Sequence, residues 1–319
     1  MSALGLGCWA IGGPWWDLEG KPRGMGEVDD AESVRAIHCA LDHGVTFFDT
    51  ADAYGAGHSE VILGRALQGR RDEVVLCSKF GNVIDEATRR VEMRDGLAPS
   101  RAAIRAACRE SLRRLGTDYL DLYLLHIWTI PPDEMPGVLD ALDELAAEGQ
   151  IRAYGWSTDL DDAAALFATR PGCAVLQFEA NVLNDAPAMH ALCAARELGV
   201  IVRSPLAMGL LSGKYGRDTR LPTGDIRGNA PEWMKYFTDG RPNPEWFRML
   251  ESVREILTAG GRTLAQGALA WLWARSPAAV PIAGFKTVRQ VEENAAAMAL
   301  GPLAAAQMAE IDTLLGRNG

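Results

Sequence analysis

The sequence lacks the features that would place the protein in a membrane, on nucleic acid or around a structural metal. No run approaches the roughly 18 to 20 apolar residues of a membrane span, and the first residues, MSALGLGCWAIGG, carry no basic signal-peptide segment. The net charge of −10 disfavours binding to nucleic acid or to an anionic membrane surface. The six cysteines form no C-x-x-C pair and no cluster with histidine at metal-ligand spacing. We therefore expect free thiols, no metal site and a reducing, cytoplasmic location.

Short apolar segments alternate with longer amphipathic segments along the chain. The predicted strands are Leu4–Ile11, Val45–Asp49, Val74–Lys79, Tyr119–His126, Arg152–Ser157, Ala174–Phe178, Val200–Ser204 and Val280–Gly284. About eight strand–helix units favour a closed (β/α)8 TIM barrel over the alternative, an open doubly wound sheet. One such barrel, with a long irregular loop at Gly213–Asn243 after strand seven and extra helices at Pro244–Ala259 and Pro302–Leu315, accounts for residues 1–319 as a single domain.

Polar side chains lie at the ends of three consecutive apolar strands. Asp49, Lys79 and His126 each end a strand, and Tyr54 follows the first of them. Because the carboxyl ends of barrel strands share one face, we expect these side chains to lie close together. A lysine cation lowers the pKa of a neighbouring tyrosine from about 10, an aspartate holds the lysine, and a histidine orients a carbonyl. The set suits a proton donor to an alkoxide, with hydride from a nicotinamide cofactor; a plain Asp49–Lys79 ion pair is the alternative.

The last predicted strand is followed by a candidate phosphate site. Gly284 allows close approach of the backbone, Lys286 adds a positive charge, and a helix then begins, whose N-terminus favours an anion. The segment from Gly5 to Ala10 formally matches G-x-G-x-x-A, but too few residues precede it for a dinucleotide-binding turn after a strand. The pair Trp15–Trp16 fits either a pocket wall or ordinary packing.

Five motifs, in order along nearly the whole chain, resemble those of the aldo-keto reductase family. They are Phe47–Gly55 (FFDTADAYG), Ser78–Gly81, Tyr119–His126, Ser204–Tyr215 and Gly284–Asn294. The resemblance implies a (β/α)8 barrel that reduces aldehydes and ketones with NADPH and without metal. It makes Tyr54 the acid, tuned by Asp49 and Lys79, with His126 orienting the carbonyl.

The resemblance also implies a cofactor site. Its residues are Trp9, Ser157 and Gln177 at the nicotinamide, Ser204, Pro205, Leu206 and Lys214 at the pyrophosphate, and Gly284, Lys286, Gln290, Glu293 and Asn294 at the adenosine phosphate. Lys286 matches a position that reads the 2′-phosphate, which favours NADPH. The sequence departs from the family pattern at Arg203, where many members have an aromatic residue that stacks on the nicotinamide, and at Thr158, where many have asparagine. The short β-hairpin with which family members usually begin is also missing.

Two other functions stay open from the sequence. One is an NADPH-binding regulatory subunit with little turnover, and the other is a lyase that forms a Schiff base on Lys79. Aromatic residues near the predicted site, including Trp9, Trp128 and Trp233, favour an aromatic or hydrophobic carbonyl substrate. The sequence identifies neither that substrate nor the oligomeric state.

Overall fold

Eight parallel strands close into a barrel in the computed structural model, which describes residues 1–317. The strands are β1 (Gly5–Gly7), β2 (Phe47–Asp49), β3 (Val75–Phe80), β4 (Leu120–Leu125), β5 (Ile151–Ser157), β6 (Cys173–Glu179), β7 (Gly199–Arg203) and β8 (Ala279–Gly284). Each pairs with the next in sequence, and β8 pairs with β1. The predicted (β/α)8 fold is confirmed.

Helices surround the barrel and follow the strands in turn. They are α1 (Asp30–Asp42), α2 (His58–Ala66), α3 (Arg101–Leu115), α4 (Met135–Ala147), α5 (Asp161–Phe167), α6 (Pro187–Ala195), α7 (Ile226–Asn229), α8 (Pro244–Thr258), α9 (Leu264–Arg275), α10 (Val288–Leu300) and α11 (Ala305–Leu314). Several begin at a side-chain cap: Asp29 accepts from the first turn of α1, and Ser100 from that of α3. Such caps satisfy N–H groups that have no partner within the helix and so fix the residue at which each helix begins.

The first strand is shorter than predicted. Strand β1 ends at Gly7, and a 3-10 turn at Ala10–Gly12 replaces the rest of the predicted segment. Here the backbone leaves the sheet and packs closely on the loop after β2. A Cβ on Gly12 would lie only 2.8 Å from the Gly55 nitrogen. Gly55 itself has φ +66°, a conformation that favours glycine. This close approach places the rings of Trp9 and Tyr54 side by side, with centroids 5.9 Å apart.

The long segment after β7, residues 213–243, crosses the carboxyl-terminal face of the barrel, and we call it the strap. It is less irregular than predicted, because it contains α7 and a two-stranded hairpin of Phe237–Thr238 and Arg241–Pro242. Its middle pairs with the loop after β1, where the Ile226 N–H donates to the Gly24 carbonyl at 2.8 Å. The strap therefore forms part of the roof over the strand ends.

The barrel interior is filled by apolar side chains from its own strands. These are Phe47, Cys77, Leu124, Val175, Ile201, Val280 and Ile282. Gly5 leaves room for the Phe47 ring, since a Cβ there would lie 2.4 Å from its Cδ1 atom. Because these side chains fill the barrel interior, the open space of the site lies at the carboxyl-terminal face.

No helix within residues 1–317 is long and apolar enough to cross a membrane. The six cysteines are free thiols. Over the same residues, no group of three or more His, Cys, Asp and Glu side chains is arranged to hold a metal ion.

Candidate active site

The ends of β2, β3 and β4 bring Asp49, Tyr54, Lys79 and His126 together. The Lys79 ammonium donates to Asp49 Oδ1 at 2.5 Å, to the Thr50 carbonyl at 2.8 Å and to the Tyr54 hydroxyl at 3.2 Å. All three of its N–H donors are thereby used. The Tyr54 and His126 rings meet edge to face with centroids 5.7 Å apart. The Asp49–Lys79 ion pair is present, but it is one part of a larger arrangement that ends on a tyrosine hydroxyl.

Burial and charge set the protonation of Lys79 and Tyr54. Burial, the largest single effect, favours the neutral amine, but the Asp49 carboxylate together with Tyr54 and Cys77 raises the pKa of Lys79 above its ordinary value. For Tyr54, burial raises the pKa by more than the Lys79 cation lowers it. The lysine thus acts in the expected direction, yet the net shift is upward because a buried phenolate loses its hydration. Tyr54 is therefore a neutral hydroxyl beside a permanent cation.

His126 is a neutral imidazole. Burial, followed by the positive charges of Lys79 and Arg203, holds its pKa well below the usual value. Its Nδ1 atom is buried without a hydrogen-bond partner among residues 1–317. A neutral ring beside the Tyr54 hydroxyl can donate a hydrogen bond to a carbonyl oxygen without carrying a charge of its own.

Gln177 lies behind Asp49. Its amide nitrogen donates to Asp49 Oδ2 at 2.7 Å, and its carbonyl oxygen accepts from the Ser157 hydroxyl at 2.9 Å. The side chain is 1% exposed, whereas Ser157 reaches the cavity wall. In this arrangement Gln177 holds the Asp49 carboxylate, and the predicted contact of Gln177 with a nicotinamide stays a prediction.

A cavity of about 980 Å³ opens at the carboxyl-terminal face. Of the predicted site residues, Lys79 and Gln177 lie behind its wall. The others line it: Trp9, Asp49, Tyr54, His126, Ser157, Ser204, Pro205, Leu206, Lys214, Gly284, Lys286, Gln290, Glu293 and Asn294. Trp15 also lines the cavity, whereas Trp16 pairs with Arg90 in a small sheet. The predicted nicotinamide and phosphate ends therefore belong to one continuous space.

The loop after β7 contains a run of left-handed residues, and the N–H groups of Ala207 and Gly209 donate to the carbonyls of Ser204 and Leu206. Ser204, Ala207 and Met208 have φ values of 52°, 48° and 55°, and Gly209 has φ +96°. Left-handed residues of this kind are costly outside glycine and recur where backbone N–H groups converge on an anion. The loop lines the cavity and so fits the pyrophosphate of a dinucleotide.

Three cations line the cavity near this loop: Lys214, Arg227 and Lys286. Burial lowers the pKa of both lysines, and the neighbouring Arg227 lowers each further. Lys286 donates to the carbonyls of Met25 and Glu27 at 2.7 and 2.9 Å, which leaves one N–H free for a ligand. These three positive charges repel one another and lie together on an acidic protein. Such an arrangement is typical of a site for a polyanionic ligand.

Sequence reasoning missed Arg227, because it lies in the strap. Asp225 holds its guanidinium with both carboxylate oxygens, and Arg227 also donates to the Met208 carbonyl and the Tyr215 hydroxyl. Asp225 and Arg227 are separated by one residue within a long loop. This pair of opposite charges was the feature of the sequence that could have pointed to Arg227. Only the fold brings this pair onto the loop after β7.

A charged network that the sequence did not predict joins the strand ends to the strap. Arg203 donates to Asp159 at 2.5 Å and contacts Glu179 at 3.4 Å. Glu179 also accepts from Lys235 at 3.0 Å and from the Tyr236 hydroxyl. All five residues line the cavity. The available signal in the sequence was a charged side chain at or just after each of three strands, namely Asp159, Glu179 and Arg203.

The chain is similar to known oxidoreductases over nearly its whole length. Residues 3–315 match the model of the Aldo/keto reductase family. The NADH-specific methylglyoxal reductase of Escherichia coli is 31% identical, covering 93% of this chain and 90% of that protein. The glycerol dehydrogenase AKR11B4 of Gluconobacter oxydans superposes with a TM-score of 0.81 at 29% identity, over 99% of this chain and 92% of its own. An aldo/keto reductase of Klebsiella pneumoniae, solved with NADP and acetate, gives 0.68 at 28% identity, over 99% and 92%. The chain belongs to the aldo/keto reductase family and is an NAD(P)-dependent oxidoreductase.

Proposed function

We propose that the protein reduces an aldehyde or ketone to an alcohol with NADPH, and that Tyr54 donates the proton. The observation that carries this is the 3.2 Å contact between Lys79 and the Tyr54 hydroxyl, in the cavity whose other end gathers Lys214, Arg227 and Lys286. A proton donor and a phosphate-binding end in one space are what a nicotinamide-dependent reductase requires.

The residues present fit NADPH. The backbone N–H groups of Leu206 and Met208, with Lys214, would hold the pyrophosphate, and the remaining N–H of Lys286 would hold the 2′-phosphate. When bound, the cofactor supplies a hydride to the carbonyl carbon. The Klebsiella pneumoniae relative was solved with NADP, while the Escherichia coli relative is named NADH-specific. The cluster of cations favours the cofactor with the additional phosphate.

The four strand-end residues handle the carbonyl oxygen. Neutral His126 donates a hydrogen bond that orients the carbonyl toward Tyr54. As negative charge develops on that oxygen, the Tyr54 hydroxyl transfers its proton to it, and the alcohol forms. The phenolate left on Tyr54 is stabilised by the Lys79 ammonium and regains a proton from solvent. Asp49 keeps Lys79 charged throughout.

The same contacts disfavour the lyase alternative. A Schiff base needs a neutral amine, but Asp49 raises the pKa of Lys79, and three acceptors surround its nitrogen. The complete set of Asp49, Tyr54, Lys79 and His126 favours an enzyme over a cofactor-binding subunit without turnover.

The mouth of the cavity favours an apolar substrate. Trp128 and Trp233 are 43% and 53% exposed and both line it, so a bulky apolar carbonyl would cover surface that is otherwise in water. We expect a higher kcat/KM for aromatic aldehydes than for methylglyoxal, and Trp128→Ala to reduce that difference. Equal values for both aldehydes would contradict this part of the proposal.

The decisive test of the proposed function is Tyr54→Phe, which removes one hydroxyl and little volume. We expect kcat for aldehyde reduction to fall by about 10²- to 10⁴-fold, the usual contribution of a positioned acid. NADPH binding, measured by fluorescence titration, should stay within twofold of the wild-type value. Wild-type turnover in Tyr54→Phe would refute the role of Tyr54, and wild-type protein that binds no NADPH would refute the cofactor.

A further inference from the structure

We infer that Gln177 is a positioning residue for the proton donor: it fixes the Asp49 carboxylate and, through it, the Lys79 ammonium beside the Tyr54 hydroxyl. The inference rests on the proposed function. It gives Gln177 a role different from the nicotinamide contact that the family resemblance implies. It starts from the place of Gln177 on β6, behind the cavity wall and 1% exposed.

Gln177 reaches Asp49 across the barrel. Three strands separate β6 from β2 in either direction around the closed sheet, so the two strands lie on opposite sides. The Gln177 amide nitrogen nevertheless donates to Asp49 Oδ2 at 2.7 Å, while Lys79, on the neighbouring strand β3, donates to Oδ1 at 2.5 Å. Each carboxylate oxygen has its own donor, and the two donors together fix the plane of the carboxylate.

The hydrogen-bond partners determine which way the Gln177 amide turns. A carboxylate only accepts, so the NH2 group must face Asp49 and the oxygen must face Ser157. The Ser157 hydroxyl then donates its single proton to Gln177 Oε1 at 2.9 Å. Both ends of the Gln177 side chain are thus bound to protein groups. Of Gln177 and Ser157, it is Ser157 that lines the cavity.

The position of Lys79 therefore depends on Gln177. The Lys79 ammonium lies 3.2 Å from the Tyr54 hydroxyl, at the long end of the hydrogen-bond range. A carboxylate that loses its donor on Oδ2 is free to rotate, and the ammonium bound to Oδ1 moves with it. The phenolate left by proton transfer would then have a less well placed counter-ion. Gln177 acts on the reaction through Asp49 and Lys79.

The first test is Gln177→Met, which nearly keeps the volume of the side chain and removes both hydrogen bonds. We expect the single-turnover rate of benzaldehyde reduction, measured by stopped flow at saturating NADPH, to fall about 10- to 100-fold. The Kd of NADPH from fluorescence titration should stay within twofold of the wild-type value. Gln307→Met is the matched control and should keep the wild-type rate. Gln307 also makes two side-chain hydrogen bonds, to the backbone of Ala304 and Ile256, and does not line the cavity.

The second test is Gln177→Glu, measured as a pH profile. A protonated carboxyl donates to Asp49 and accepts from Ser157 as the amide does, so the rate at pH 6 should be close to that of the wild type. The neighbouring carboxylate favours this protonated form, and once the proton is lost the two like charges repel. The ratio of the variant rate to the wild-type rate should therefore fall about tenfold from pH 6 to pH 9.

Neighbouring groups do not account for such a fall. Those that act on Asp49, Lys79 or Tyr54 include Cys8, Asp52, Cys77, His126 and Arg203. Burial raises the pKa of both thiols and lowers that of the imidazole, so these three groups stay neutral, and the guanidinium stays charged. Burial raises the pKa of Asp52 to about 8, but Asp52 titrates in both proteins, so the ratio of the two rates cancels its effect.

The inference is overturned if Gln177→Met reacts at the wild-type rate. An unchanged rate together with a raised Kd for NADPH would assign Gln177 to the cofactor instead. Should Gln177→Met fail to fold, Gln177→Glu decides, and a rate ratio that does not change with pH refutes the inference. Wild-type protein that reduces no aldehyde would refute the proposed function, and this inference with it.

Discussion

Replacing Lys79 with methionine separates the chemistry of the site from its contribution to stability. The substitution removes an ammonium 3.2 Å from the Tyr54 hydroxyl and 2.5 Å from a buried carboxylate. At an effective dielectric constant of about 20, one charge pair at about 3.2 Å is worth up to about 5 kcal/mol, which bounds the stabilisation of a phenolate on Tyr54. With the proton partly transferred in the transition state, we expect kcat to fall by about 10²- to 10⁴-fold.

The same substitution leaves Asp49 without its counter-ion at 1% exposure. Removing one partner of a buried pair costs about 3–5 kcal/mol, so Lys79→Met should be destabilised by that amount in urea unfolding. The double variant Asp49→Asn with Lys79→Met leaves no unpaired charge. We expect it to regain most of the lost stability and none of the lost activity.

Stopped-flow NADPH oxidation and urea unfolding of the two variants provide the measurements. The reasoning would be wrong if Lys79→Met were as stable as the wild type, because the carboxylate would then need no counter-ion. A return of activity in the double variant would also contradict the reasoning. It would mean that the loss of kcat in Lys79→Met came from the unpaired Asp49 and not from the missing cation beside Tyr54.

Two further predictions concern stability. Burial, reinforced by Glu60, raises the pKa of Asp52 to about 8 in the folded protein. The folded state therefore holds a proton that the unfolded chain releases above about pH 4, so Asp52 makes stability fall as pH rises between these values. Asp52→Asn should flatten this dependence in urea unfolding at pH 5 and pH 8, and an unchanged slope would argue against it. Gly5→Ala should cost about 1–3 kcal/mol because its Cβ would meet Phe47 at 2.4 Å. Gly137→Ala, a helical position where a Cβ meets no described atom within 4 Å, should be neutral or stabilising by up to about 1 kcal/mol, and equal effects of the two would contradict the packing argument.

The group of Asp49, Tyr54, Lys79 and His126 could be predicted because the carboxyl ends of barrel strands all lie at the functional face of the fold. An apolar strand that finishes on a charged residue must place that charge at the carboxyl-terminal face, and consecutive strands are neighbours there. The pKa of Tyr54 was harder to predict. Its net direction depends on how deeply the hydroxyl is buried, and a sequence gives charges but not the extent of desolvation.

Contacts that join distant segments could not be read from the chain. Arg227 becomes part of the cavity only because the strap folds across the barrel and meets the loop after β7. Glu179 connects Arg203 with Lys235, and no periodicity relates those positions. The early end of β1 has the same origin, since it depends on Gly12 packing against a loop that lies beyond α1.

The pairing of β1 with β8, which closes the barrel, has a consequence for folding. Strand β1 pairs with β8, with Gly5 beside Ile282 and Gly7 beside Gly284, so the barrel closes between its first and its last strand. Both sides of this closure contribute to the cavity, Gly7 and Trp9 from one and Gly284 and Lys286 from the other. A chain that lacks β8 and the residues after it also lacks the part of the cavity wall that residues 282–294 supply. Any ligand that contacts both sides of this closure would therefore stabilise the closed barrel over chains in which β1 and β8 have not paired.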